Sequence, residues 1–158
     1  MAGSILAASV EGIEYLKFKG VVRYSHCGGL EAYIDQLFDS EGLDAVVIDL
    51  EEAEILDSTA LGLLARIAIE YKKISAAMPV IFLKRGELDK IIKRVCFDQV
   101  FHMVYDDLDI QATEFKELVD QDQNEEQVLQ RVLQAHRHLA TISRDNESLY
   151  RDITLALN

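Results

Sequence analysis

The chain has few of the features that mark secreted, membrane or metal-binding proteins. Its 158 residues include one proline and two cysteines, and 49% of them are hydrophobic. Scarce proline together with this hydrophobic content favours a compact folded chain over a disordered one. The length is sufficient for one well-buried domain and a helical appendage. Cys27 and Cys96 lack the paired spacing of zinc or redox motifs, so we expect two buried thiols.

Long apolar runs and positive charge are also scarce. The run at residues 60–69 is interrupted by Arg66, and no basic residue precedes the short apolar start of the chain, which disfavours a membrane span and a secretory signal. A net charge of −12, from 28 acidic and 16 basic side chains, repels phosphate backbones and anionic lipids. We therefore expect a cytoplasmic protein that binds neither nucleic acid nor membrane.

A strand, a turn and a helix are predicted between residues 45 and 72. The apolar run Ala45–Leu50 predicts the strand, and the acidic residues at 51, 52 and 54 predict the turn. Apolar residues then recur at intervals of three and four, which predicts a helix with one buried face. The residues of that face are Leu61, Leu64, Ala65, Ala68 and Ile69, and Lys72 continues the same spacing.

Asp57, Ser58 and Thr59 stand where this helix begins. Asp57 is placed to accept hydrogen bonds from the first free amides as the N-cap residue. A hydroxyl in the first turn lies beside free amides at the positive end of the helix dipole, where a phosphate is tolerated. From the triplet alone, ordinary capping, which contributes about 1 kcal/mol, is the favoured explanation.

The rest of the chain predicts an α/β fold in which helices cover a mixed sheet. Strands are expected at residues 4–9, 14–19, 80–83 and 100–105, and helices at residues 30–38, 87–95 and 109–119. The first two strands flank the Glu11-Gly12 turn and are expected to form a hairpin. Gly28 and Gly29 predict a flexible turn. They do not predict a phosphate-binding loop, because the lysine of a P-loop and the third glycine of a dinucleotide-binding motif are missing. A metal site joining His26 and Cys27 to Cys96 or His102 is disfavoured for lack of paired ligand spacing.

A basic cluster follows the predicted fourth strand. It comprises Lys84, Arg85, Lys90, Lys93 and Arg94. Such a cluster is typical of a solvated helix face, and the alternative is a docking surface for an acidic partner. We favour the solvated face.

The last part of the chain carries a helical repeat. Apolar positions recur in steps of four and three, with one asparagine among them, as in a coiled-coil seam. They are Val128, Val132, Ala135, Leu139, Ile142, Asn146, Leu149, Ile153 and Ala156. We divide the chain into a domain at 1–120 and a helical extension at 121–158. The extension either projects and pairs with another chain, giving a homodimer, or breaks near residues 143–146 and folds back as a hairpin. An amphipathic helix that packs on its own domain is the third alternative.

The element order, together with Asp57-Ser58-Thr59-Ala60-Leu61-Gly62-Leu63-Leu64 after residues 46–50, resembles the STAS domain family. Among its members the chain looks most like the bacterial anti-sigma factor antagonists, over about residues 5 to 115. The resemblance implies a STAS-like mixed sheet covered by helices. It also implies that the chain is not an enzyme and needs no cofactor or metal.

The resemblance further implies a phosphorylation switch at Ser58. In that family an anti-sigma factor with a serine kinase fold phosphorylates the matching serine, and a phosphatase of the PP2C type removes the phosphate. Asp57, Thr59 and Leu61 would then lie on the surface presented to the kinase. Two departures are Ala60, where glycine is frequent, and Arg23, where an acidic residue is frequent; the second bears on the partner's identity.

Two other functions remain as alternatives. A STAS-type accessory subunit of a lipid-transport ABC ATPase complex would bind its partner through the same region without phosphorylation. A serine hydrolase would need Ser58 as nucleophile with Asp57 and a histidine. No G-x-S-x-G motif surrounds Ser58, and spacing alone places none of the four histidines beside it.

Overall fold

The computed structural model describes residues 2–39, 41–108, 114–119, 124–143 and 146. Its α/β architecture, six strands and four helices in the described part, confirms the predicted fold class. The strands are β1 (Ser4–Val10), β2 (Ile13–Val22), β3 (Ala45–Leu56), β4 (Val80–Phe82), β5 (His102–Val104) and β6 (Lys116–Glu117). The helices are α1 (Gly28–Leu37), α2 (Ser58–Lys72), α3 (Glu87–Arg94) and α4 (Glu125–Ile142).

The strands form one mixed sheet in the order β5-β4-β3-β2-β1-β6. β1 and β2 form the predicted antiparallel hairpin, whose two turn residues, Glu11 and Gly12, both have positive φ. That geometry is typical of two-residue hairpin turns. β2, β3, β4 and β5 run parallel to one another, so their carboxyl ends share one edge of the sheet.

The core is built from the alternating residues of the strands and the apolar faces of the helices. Along β2, Leu16, Phe18, Gly20 and Val22 are buried, and the residues that alternate with them are half-buried. On α2, Leu64 and Ile67 are fully buried within the same cluster. Cys27 and Cys96 are both buried, as predicted.

The predicted acidic turn at residues 51–54 is wrong, because β3 continues through it to Leu56. The strand stays paired with β2 over this stretch. Lys17 of β2 forms a salt bridge of 2.6 Å with Glu52, and this bond lowers the pKa of Glu52. Backbone pairing and this cross-strand pair outweigh the low strand propensity of the acidic residues.

The helix predicted at residues 109–119 is wrong where the structure describes that segment. Residues 109–113 lie outside the described part, and β6 follows as a short strand. Glu117 pairs with Leu6, and the amide of Leu118 donates to the carbonyl of Ile5 at 2.8 Å. The free edge of β1 therefore gains a partner strand, which outweighs the helical pattern.

The predicted glycine turn before α1 is also wrong, because Gly28 and Gly29 are the first two residues of the helix. A Cβ atom at Gly29 would lie 2.8 Å from the carbonyl oxygen of Val119. Glycine therefore lets the segment after β6 pass directly against the helix.

The C-terminal helix packs on its own domain, against α2. It ends at Ile142, and Ser143 is extended, so the helix breaks at the start of the predicted 143–146 interval. Ala135 and Leu139, two residues of the predicted seam, are buried in this packing. Leu149, Ile153 and Ala156 lie outside the described residues, and the homodimer and the division at residue 120 stay predictions.

No helix within the described ranges has both the length and the hydropathy to cross a membrane.

Candidate functional site

The start of α2 is fixed by the carboxylate of Asp57. One oxygen accepts a hydrogen bond from the amide of Ala60 at 3.0 Å, so Asp57 is the predicted N-cap residue. The other oxygen accepts from the amide of Tyr24 at 2.7 Å. The side chain therefore ties the start of α2 to the 3-10 turn at Tyr24–His26, which follows β2.

Ser58 is the first residue of α2, and its hydroxyl meets a histidine from the far end of the chain. The Ser58 Oγ and His136 Nε2 atoms are joined by a hydrogen bond of 2.7 Å, across 78 positions of sequence. His136 lies on α4 and is buried. The C-terminal helix therefore contributes a side chain to the candidate phosphorylation site.

The contact between α2 and α4 is closest at Gly62. A Cβ atom placed there would lie 2.2 Å from the carbonyl oxygen of Ala135. No real side chain tolerates that distance to backbone, so the two helices can approach this closely because residue 62 is glycine. A glycine inside a helix was the sequence signal for a closely packed neighbour, since glycine otherwise weakens a helix.

Thr59 and Leu61, predicted to face a partner, are both buried in this structure at 3% exposure. Asp57 and Ser58 are half-buried. The four predicted partner-binding residues are therefore brought together at one helix start, but two of them face the interior. Their role in binding a partner stays a prediction.

Exposed apolar side chains border this site at the carboxyl ends of β2 and β3. Tyr24 is 49% exposed and Ile55 is 52% exposed. Arg23, the departure noted above, is exposed beside Tyr24. Contiguous exposed apolar surface marks protein interaction sites, so Tyr24 and Ile55 are candidate partner contacts.

Two acidic residues of β3 have partners on other segments of the chain. Glu52 pairs with Lys17, and a carboxylate oxygen of Glu51 accepts a hydrogen bond from the amide of Leu108 at 2.7 Å. Asp57 is the carboxylate adjacent to Ser58 in the sequence. Its negative charge would repel a phosphate placed on the Ser58 hydroxyl.

A family model for the STAS domain matches residues 4–110. The chain belongs to the STAS domain family. No curated protein matches it. The matched STAS region contains β1 through β5 and both sides of the Asp57–Ser58 junction, while α4 follows it.

Ser58 and His136 of this STAS protein resemble part of a catalytic triad, and sequence spacing could not show that they meet. A triad also needs a carboxylate that orients the histidine. Here both oxygens of Asp57 accept backbone amides, those of Ala60 and Tyr24. Asp57 thus acts as a cap and as a tie between two segments. Within the described residues there is no group of three His, Cys, Asp or Glu side chains able to hold a metal ion.

The docking of α4 on the STAS domain is expected to weaken in mild acid. Burial lowers the pKa of His136 below its ordinary value near 6.5, against the opposing field of Asp57. Burial also lowers the pKa of His138, which lies near Arg66 and Glu70. Below about pH 6.5 the unfolded chain binds more protons than the folded chain, so the free energy of unfolding falls as pH drops toward the folded pKa values.

This pH dependence can be measured by urea unfolding between pH 7.5 and 5.5. We expect the loss of stability in acid to shrink when His136→Gln and His138→Gln are combined. The control is His102→Gln, which changes an exposed histidine of β5. A double variant that kept the full acid sensitivity of the wild type would contradict the assignment.

Proposed function

We propose that this STAS protein is an anti-sigma factor antagonist that works as a partner switch through Ser58. In its unmodified form it binds an anti-sigma factor with a serine kinase fold and so frees a sigma factor. Phosphorylation of Ser58 by that kinase blocks the binding, and a phosphatase of the PP2C type restores it. The switch requires no catalysis by this chain and operates in the bacterial cytoplasm.

The observation that carries the proposal is the position of Ser58. It opens α2 directly after the N-cap Asp57, at the carboxyl edge of the parallel strands. Free amides and the helix dipole favour an anion at this position. The exposed Tyr24 and Ile55 border the same edge and supply apolar surface for a partner.

The physical basis of the switch is the charge that a phosphate adds. A phosphoserine carries about −1.5 to −2 charges at neutral pH. In an interface fitted to a neutral hydroxyl beside Asp57, that charge brings repulsion and a desolvation cost. The unmodified protein therefore binds, and the phosphorylated protein does not.

Affinity purification of the full chain from its native host tests the partner class. We expect a protein with a serine kinase fold to co-purify, and Ile55→Glu to reduce its recovery at least about tenfold, as at an interface hot spot. Val10→Glu is the matched control, because Val10 is also an exposed apolar strand end but lies at the hairpin, at the opposite end of β2. Recovery of ABC transporter subunits without any kinase-fold protein would favour the accessory-subunit alternative.

A further inference from the structure

The helix α4 covers Ser58 and is held against the domain at several separate points. Next to the Ser58–His136 hydrogen bond, Gly62 receives the backbone of Ala135. Leu139 of α4 is fully buried within the core cluster. The same helix therefore contacts the Ser58 hydroxyl and packs against the neighbouring surface of α2.

Both ends of α4 are anchored by polar contacts to other elements. Near its start, the buried Arg131 lies 3.3 Å from the carboxylate of Glu31 on α1. Just beyond its end, the side-chain amide of Asn146 donates to the carbonyl of Val95 at 2.6 Å. The contacts on α1, on α2 and after α3 together fix one register of the helix over Ser58.

Access of a kinase or phosphatase to the Ser58 oxygen is restricted while α4 is docked, because the serine is half-buried and its hydroxyl is bonded to His136. Phosphoryl transfer requires the attacking oxygen and the leaving oxygen to lie in line through the phosphorus. His136 Nε2 occupies a position 2.7 Å from this oxygen, where a phosphoryl group would need space. A phosphoserine has three further oxygens, so the modified residue would displace His136 from its position beside the Ser58 oxygen.

From these contacts we infer that α4 is a self-inhibitory cap, which must leave Ser58 before a partner or a phosphoryl group can take its place. This inference rests on the proposed function of Ser58. The partner and α4 then compete for one surface. The partner's apparent affinity is its intrinsic affinity multiplied by the fraction of molecules in which α4 is undocked. Release requires no strand to separate, because α4 meets the domain through helix packing and side-chain bonds alone in the described contacts.

The cap can be tested without a partner, by measuring the reactivity of a thiol at position 58. Ser58→Cys in the full chain is treated with N-ethylmaleimide, and peptide mass spectrometry separates this thiol from Cys27 and Cys96. We expect slow labelling, and at least about tenfold faster labelling when Leu139→Asp is added, because a carboxylate cannot stay in the fully buried position. Leu129→Asp is the matched control, since Leu129 lies on the same helix and is 44% exposed.

Equal labelling in the presence and absence of Leu139→Asp would overturn the cap. A second measurement needs no destabilising variant: labelling of Ser58→Cys is followed in low urea beside hydrogen exchange of β2 and β3. We expect labelling to accelerate with urea while the strands stay protected. A releasable cap would be contradicted if labelling accelerated only at urea concentrations where β2 and β3 also lose hydrogen-exchange protection. It would also be contradicted if labelling were fast without urea. Neither assay involves phosphate, so their failure is distinct from failure of the phosphorylation switch.

Discussion

Replacing Gly62 with alanine is expected to destabilise the protein, although alanine is the better helix former. Helix propensity alone predicts a gain of about 1 kcal/mol for this change. The added Cβ would instead lie 2.2 Å from the carbonyl oxygen of Ala135, and overpacking of this kind typically costs about 1–3 kcal/mol. The sign of the effect therefore reports whether α4 is packed on α2.

Urea unfolding of the full chain measures this effect, with Lys72→Gly as the control. Lys72 is exposed at the last position of the same helix, so this variant introduces a helical glycine with no neighbouring backbone, and we expect it to cost less than the about 1 kcal/mol of an interior position. Hydrogen exchange should show the α4 amides losing protection first in Gly62→Ala. A Gly62→Ala protein more stable than the wild type would place α4 away from Gly62.

Ser58→Asp is expected to weaken binding to the anti-sigma factor by about 30-fold or more. Its carboxylate would stand beside Asp57 in an interface fitted to a hydroxyl, and an uncompensated charge there costs about 2–5 kcal/mol. Ser58→Ala adds no charge and removes the hydrogen bond to His136, which loosens the cap. We therefore expect the alanine variant to bind as tightly as the wild type or more tightly.

Titration calorimetry with the purified kinase-fold partner measures these affinities. Ser58→Asn is the matched control, because asparagine has nearly the shape of aspartate without its charge. We expect its affinity to lie near that of Ser58→Ala. Equal affinities for Ser58→Asp and Ser58→Ala would rule out a charge switch at this position.

Local sequence patterns were sufficient to predict five of the six described strands and the start of α2. The hairpin at Glu11–Gly12, the central strand and the N-cap at Asp57 each depend on neighbouring residues, so propensity and spacing reveal them. The buried Cys27 and Cys96 followed from their lack of paired spacing. These features needed no knowledge of distant contacts.

The errors arose where distant residues decide the structure. β3 continues through its acidic residues because Lys17 and the β2 backbone lie alongside, and β6 forms because the edge of β1 needs a partner. Neither partner is visible in a local window. The meeting of Ser58 with His136 depends on how α4 docks, and the interior Gly62 was its one local sign.

The most direct test of the switch is phosphopeptide and intact-mass spectrometry on the protein purified from its native host, comparing wild type with Ser58→Ala. We expect one phosphate on the wild-type chain, on the peptide that contains Ser58, and none on the variant. Wild-type protein without phosphate under every growth condition, or a phosphate that persists in Ser58→Ala, would contradict the switch. The first of these results would leave Asp57 and Ser58 as an ordinary helix cap and favour the accessory-subunit alternative.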